Sequence, residues 1–396
     1  GHPDRSLRDC VAPMAVRCDI FCTVIDNFGD IGIAWRLARQ LAAEHGLEVH
    51  LWVDDLDSFQ RIRPEIDPSA AKQSLAGVEI RRWSDPMPDV TPADIVIEAL
   101  ACHLPETYLQ AMAALADKPL WLNLEYLSAE DWVAGCHTLP SPHPRLPLTQ
   151  YFFMPGYLPG TGGVLREHDL TARRAAFQAD AVASADFWRE LDVPAPEPGE
   201  IRASLFCYES SALASLLAAW SAHPSPVTCL LPAGKALADA AVCFDRPGLG
   251  PGDAVTRGAL TLRILPMLDQ DAYDRLLWAC DVNFVRGEDS FTRAQWAGQP
   301  LVWQAYRQKD EAHLDKLSAF LKHYQAGLSE AAATALEGLW QAWNRNQDVS
   351  RAWAAFWRHR AEYVAHAADW QARLIQVGDL AGNLMKFCNE KLRLKS

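Results

Sequence analysis

Two short acidic turns carry most of the chemistry this sequence offers. One is Asp26-Asn27-Phe28-Gly29-Asp30-Ile31-Gly32, and the other is Arg286-Gly287-Glu288-Asp289-Ser290. Each stands where an apolar run, 19–25 or 282–285, gives way to a helical pattern that starts near Ile31 or Phe291. Gly29 permits a tight turn, and Gly32 permits a close backbone approach. Free N–H groups at a helix start favour an anion such as a diphosphate. Asp26 and Asp30 flank the first turn: either one alone is also read as a helix N-cap, whereas two facing a cleft suit a cation or a base. In the second turn, Glu288 or Asp289 would accept sugar hydroxyls, and Ser290 would donate to a phosphate. The alternative there is a local Arg286–Glu288 ion pair with a Ser or Asp cap. Phe206, Tyr208 and Tyr273, with Gln270 nearby, offer aromatic faces for a base, although core packing is the default reading of any one ring. Lys235 could neutralise a phosphate, although a lone surface lysine is usually no more than that. Neither turn is a dinucleotide fingerprint or a Walker loop, because G-x-G-x-x-G and G-K-[ST] are both missing.

Strands and helices must alternate to position these turns. Apolar runs at 19–25, 49–53, 80–83, 95–97 and 120–124 read as strands, with an amphipathic helix over 31–45. A Pro- and Gly-rich stretch, 138–163, reads as a long loop, and 166–191 as helical. Val193-Pro-Ala-Pro-Glu-Pro-Gly199 is the best linker. A second alternation follows, with strands at 204–208, 227–231, 260–265, 282–285 and 301–303 and helices at 211–221, 271–280 and 291–297. Beyond Glu311 the chain reads as nearly all helical. Its tryptophans, Trp340, Trp343, Trp353, Trp357 and Trp370, are expected in the core. The pattern predicts two doubly wound α/β domains, with ligands beyond the carboxyl ends of the strands.

The totals narrow the class. The chain has 396 residues, 49% hydrophobic and 22% charged, which fits two globular domains. A net charge of −13 argues against nucleic acid as a direct partner. No run reaches the ~20 apolar residues of a membrane helix. Ten scattered cysteines without ligand spacing predict reduced thiols, a cytoplasmic location and no metal. Met14 is the expected native start, and residues 1–13 an artificial leader.

Several stretches together resemble the protein-arginine rhamnosyltransferases that modify elongation factor P, the EarP family. They are Asp19-Ile-Phe-Cys22, Ile25-Asp-Asn-Phe-Gly-Asp-Ile-Gly32, Trp35-Arg-Leu-Ala-Arg39, Trp121-Leu-Asn-Leu-Glu-Tyr-Leu-Ser-Ala-Glu130, Arg286-Gly-Glu-Asp-Ser-Phe291 with Arg293-Ala-Gln295, and His313-Leu-Asp-Lys-Leu317. The resemblance implies a GT-B fold, two Rossmann-like domains facing across a cleft. It implies an acceptor domain over 14–195, completed by a terminal helix at about 376–396, and a nucleotide-sugar domain over 200–375. The implied donor is dTDP-β-L-rhamnose, used without metal or other cofactor and with inversion. The implied acceptor is an arginine at a loop tip of elongation factor P, which the modification activates for ribosomes stalled at polyproline. By family position Asp26, Asp30 and Glu288 are the essential acids. Asn27, Phe28, Gly29, Gly32, Phe206, Tyr208, Gln270, Tyr273, Arg286, Gly287, Glu288, Asp289 and Ser290 fall at donor-pocket positions. The rivals are another GT-B sugar transferase or epimerase using a different nucleotide, and a non-catalytic module that binds a translation factor. A nicotinamide oxidoreductase is disfavoured by the missing glycine fingerprint.

Overall fold

The computed structural model describes residues 14–26 and 28–393; the expectations for residues 1–13 and for Asn27 lie outside the described residues. Two sheets organise the chain. The first holds β1 (Arg17–Cys22), β2 (Glu48–Val53), β3 (Lys72–Leu75), β4 (Val78–Arg82), β5 (Ile95–Ala99), β6 (Leu120–Leu124), β7 (Pro140–Pro142) and β8 (Thr149–Phe153), in the order β3-β4-β2-β1-β5-β6-β8-β7. The second holds β9 (Ile201–Leu205), β10 (Val227–Pro232), β11 (Ala254–Arg257), β12 (Leu260–Leu265), β13 (Val282–Arg286) and β14 (Leu301–Gln304), in the order β11-β12-β10-β9-β13-β14. Pairing is parallel except at the edge strands β3, β7 and β11. Two parallel-dominated sheets facing across a cleft make this a GT-B fold.

Both sheets are buried on two faces, which explains their nearly unbroken apolar strands. In β1, Cys18, Ile20 and Cys22 enter the core beneath the helix Gly29–His45, while Phe21 points to the other face against Trp52 and Tyr108. That helix buries Ile31, Ala34, Trp35, Ala38 and Leu41 at helical spacing. It stops at Gly46, whose left-handed backbone (φ 66°) returns its N–H to the Leu41 carbonyl. The last helix, Leu380–Arg393, crosses back to the first sheet. Its Leu380, Ala381, Leu384 and Cys388 share a core with β1. Trp340, Trp343, Trp353, Trp357 and Trp370 are all buried with the second sheet.

Three expectations need correction. The stretch 138–163 is not simply a loop: β7 and β8 extend the first sheet there, pairing with each other and with β6. Prolines at both ends of β7 are tolerated because it is an edge strand. The helical stretch 166–191 is two helices, Leu170–Ala179 and Ala181–Glu190, because Asp180 caps the second by accepting the N–H groups of Val182 and Ala183. Strand β1 ends at Cys22, so residues 23–25 belong to the turn. Among the described residues no helix is long and apolar enough to cross a membrane.

A buried ionic network ties the two halves together beside the cleft. Arg36, from the helix Gly29–His45, bonds Asp289 at 2.9 Å and Asp274 at 3.4 Å, both from the second half. Arg293 forks onto Asp274 at 2.8 and 2.9 Å and reaches Glu167 at 2.8 Å. Burial opposes ionisation of Glu167, yet Arg293 and Arg36 hold its carboxyl down at about 2. Removing Arg36 strands Asp289 and leaves Arg293 alone to hold Asp274 and Glu167. Arg36→Met is therefore expected to destabilise the fold by about 3–5 kcal/mol, read from chemical denaturation followed by tryptophan fluorescence.

Candidate active site

The carboxyl ends of β1 and β13 point at one another, and the two acidic turns meet there. Asp26 accepts a hydrogen bond from the Tyr208 hydroxyl at 2.8 Å, across the cleft. Glu288 accepts from the Leu127 N–H, a second bridge in the opposite sense. Gly287 makes this approach possible: its backbone is left-handed (φ 62°), and a Cβ there would lie 2.8 Å from the Tyr208 hydroxyl and 2.9 Å from Asp26 Oδ2. Gly32 does the same one turn into its helix, where a Cβ would lie 3.0 Å from both Asp289 Oδ2 and Gln270 Nε2.

Neither Asp26 nor Asp30 caps the helix Gly29–His45, which has no side-chain cap. Asp30 turns back instead, and its Oδ2 accepts the N–H groups of Ile25 and Asp26, each at 2.8 Å. The Tyr126 hydroxyl donates to the Leu100 carbonyl at 3.1 Å and stands near Asp30, whose ionised form it favours. Leu100 and Ala101 are consecutive left-handed residues (φ 58° and 66°) at the end of β5. Such backbone is costly away from glycine, and here it aims a carbonyl at the hydroxyl beside Asp30. Tyr126 follows β6 by two residues, so the rule that located Asp26 and Glu288 could also have found it.

Two compartments open from this junction. The first, about 660 Å³, is lined by Asp26, Phe28, Gly29, Phe206, Tyr208, Gln270, Tyr273, Arg286, Glu288, Asp289 and Ser290, together with Arg36, Met267 and Leu268. Gly32 and Gly287 are not on its wall but pack directly behind it. The second, about 1020 Å³, is lined by Asp26, Asp30, Tyr126, Glu288, Tyr306 and Lys316, among others. Asp26 and Glu288 border both, whereas Asp30 borders only the second.

The polar groups of the first compartment are partly committed. The Arg286 guanidinium lies 4.1 Å over Phe206 and 4.6 Å over Tyr208, and no ion pair joins it to Glu288 among the described residues. Ser290 Oγ accepts the Arg286 N–H at 3.1 Å and donates to the Arg286 carbonyl, which locks the turn. Asp289 is held by Arg36. Gln270 is buried; its Nε2 donates to the Gly32 carbonyl at 3.2 Å, and its Oε1 is left without a partner. Lys235 approaches the Tyr208 ring at 5.9 Å. Arg36 stood in the sequence only within the motif Trp35–Arg39 and without a role, although a charge within the apolar stripe of an amphipathic helix is the signal of a buried partner.

Burial pushes both Asp26 and Asp30 above the ordinary aspartate range, against the bonds they accept from Tyr208 and from the backbone. Burial acts harder on Glu288, with Asp30 and Asp289 adding to it and Lys316 and the Leu127 N–H opposing, so that its carboxyl is pushed up to about 8. A proton held more tightly in the folded state stabilises it fully below the ordinary glutamate range, and this contribution is lost as pH rises through about 8. Glu288→Gln should therefore abolish function yet raise the melting temperature relative to the parent at about pH 8.5, and not at about pH 4; thermal melts at the two pH values check the sign.

The chain is similar along nearly its whole length to proteins of one family. Residues 18–389 match the model described as elongation-factor P (EF-P) rhamnosyltransferase EarP. The protein-arginine rhamnosyltransferase of Pseudomonas putida is 51% identical over 379 residues, covering 96% of this chain and all of the relative. That of Pseudomonas aeruginosa is 49% identical over 369 residues, covering 93% and 98%. A solved structure described as the basis for EarP-mediated arginine glycosylation of translation elongation factor EF-P superposes with a TM-score of 0.69 at 38% identity, covering 94% of this chain and 99% of that one. With its acidic junction between two Rossmann-like halves, the chain belongs to the EarP family of protein-arginine rhamnosyltransferases.

Proposed function

We propose that the chain transfers L-rhamnose from dTDP-β-L-rhamnose to an arginine of elongation factor P, by a single inverting displacement in the cytoplasm and without metal. The observation that carries this reading is the shared border of the two compartments. Asp26 and Glu288 stand between a pocket with aromatic faces and a helix N-terminus on one side and an acid-lined pocket on the other. The first suits a nucleotide diphosphate: Phe206 and Tyr273 for the base, Arg286 and the start of the helix Gly29–His45 for the phosphates. The second suits a guanidinium, a planar cation that carboxylates grip by charge-assisted bonds. A nucleophile entering from one side and a leaving group retained on the other give inversion. The nine cysteines among the described residues are all free, which fits a reducing compartment.

Guanidinium is a poor nucleophile because its lone pairs are delocalised. Its pKa exceeds ~12 against ~4 for an ordinary aspartate, and full proton transfer before attack would cost roughly 11 kcal/mol. Burial of all three acids narrows that gap. In the proposed step Asp30 takes the proton as the C–N bond forms, while Asp26 and Glu288 hold the remaining N–H groups and orient the attacking nitrogen. Asp30 suits the base because it faces only the acceptor side and its Oδ2 is pinned by two N–H groups. The departing diphosphate is stabilised by the N–H groups at the helix start and by Arg286.

The decisive experiment incubates the protein with elongation factor P and dTDP-rhamnose and weighs the factor. A gain of one deoxyhexose supports transfer. Tight binding without a gain supports a recognition module, and a larger thermal shift with UDP-glucose than with dTDP-rhamnose supports a different donor. Asp30→Asn should lose turnover by at least about a hundredfold while dTDP-rhamnose still binds. Turnover within a few fold of the parent would instead assign the proton to Glu288, whose affinity for it is the highest of the three acids.

A further inference from the structure

The segment His313-Leu-Asp-Lys-Leu317 has no part in the reaction as described, yet it delivers a charge to the site. It lies in the helix Ala312–Tyr324, where His313 and Leu317 are buried and Lys316 is half-buried. Among the described residues Lys316 is the one cationic side chain on the wall of the second compartment, which it shares with Asp26, Asp30 and Glu288. Its ammonium lies 5.6 Å from the Tyr126 ring centre, over the ring whose hydroxyl stands near Asp30. A cation seated over an aromatic face, among carboxylates, is in the same surroundings that an arginine side chain would need.

We propose that Lys316 is the resident cation of the acceptor compartment, standing over Tyr126 on the same wall as Glu288 while the site is empty and yielding its place to the incoming guanidinium. This rests on the reading that the second compartment receives arginine. It makes Lys316 a positioning residue that acts through Glu288, without touching the sugar.

The groups facing Glu288 set the sign. Asp26 and Asp30 come from the first acidic turn and its helix, Tyr126 and the Leu127 N–H from the segment after β6, Tyr157 from the segment after β8, Asp289 from the adjoining helix and Lys316 from its own. Of these side chains only Lys316 favours the ionised form; the nearby acids oppose it. Without the lysine, Glu288 would stay protonated to higher pH in the empty enzyme. Over that wider pH range arriving arginine would meet a neutral acid and would first have to expel its proton. Once bound, the guanidinium supplies the missing charge itself, so the defect belongs to capture and fades at saturation.

The test compares the parent, Lys316→Met and Lys316→Arg in transfer to intact elongation factor P, with kcat/KM and kcat measured from about pH 6 to about pH 9.5. In Lys316→Met the acid limb of kcat/KM for the acceptor should move up by about one pH unit, a roughly tenfold loss below the limb that is recovered above it. The kcat profile should move less, Lys316→Arg should keep the parental limb, and dTDP-rhamnose affinity by calorimetry should stay within about twofold. A limb that coincides with the parent's, or an equal loss at every pH, overturns the proposal. Failure of the parent to transfer at all would instead overturn the function from which the inference starts.

Discussion

Carboxylates repel one another and lose hydration when buried, and the junction between the two sheets imposes both costs on three of them. Asp26, Asp30 and Glu288 gather there because the carboxyl ends of β1 and β13 face each other and because glycines let the turns close. At Gly287 any side chain would strike Tyr208 and Asp26, and at Gly32 it would crowd Asp289 and Gln270. The fold's remaining features answer to this constraint. Tyr208 and the Leu127 N–H bridge the gap in opposite senses, and the backbone itself satisfies half of Asp30. What holds the acids is a frame rather than a set of partners, so the junction stays open to a cation from outside.

A second charge cluster nearby shows the contrast. Arg36 and Arg293 meet Asp274, Glu167 and Asp289, also out of water, yet Glu167 sits at about 2 and Asp274 too is drawn below the ordinary range. The chemistry is the same and the outcome is opposite, because two arginines lie within bonding distance in one cluster and none in the other. The paired cluster joins the halves and resists titration. The unpaired one, with Glu288 pushed up to about 8, is poised to take up protons near neutral pH. Asp289 belongs to both settings: it lines the nucleotide-side compartment while Arg36 holds it, which links the frame to the site.

Much of this was legible in the chain, and the gaps have physical causes. Alternating apolar runs marked the main strands because parallel strands buried on both faces must be apolar throughout. The acidic turns stood out because charge at the end of such a strand is costly without a use. The strand Thr149–Phe153 was missed because the prolines around it mask an edge pair, whose order comes from tertiary pairing with β6 rather than from local propensity. The break at Asp180 was missed because a mid-helix aspartate and an N-cap look alike until the backbone turns. Tyr126 and Lys316 sit in motifs that named the family, but the contact between them joins the two halves, which no local pattern encodes. Ser290 has the opposite history: its position suggested a phosphate ligand, and its hydroxyl is occupied in locking the turn.

The placement of the acids also restricts how the proposed transfer could run. Asp26 and Glu288 border both compartments, so the carbon that changes partners must lie beside them, within reach of nucleophile and leaving group together. A covalent sugar intermediate would need a carboxylate on the face of the sugar opposite the diphosphate, the same face the guanidinium must reach. Three acids could hold that position sterically, but a carboxylate bonded to sugar would be lost to gripping the cation just when the grip is needed. In the proposed single displacement the acids keep their charge until the proton moves, and the glycosyl carbon takes the place of that proton, so the product that leaves is still a guanidinium. In the proposed transfer, capture of arginine, its orientation and the removal of its proton therefore draw on the same three carboxylates.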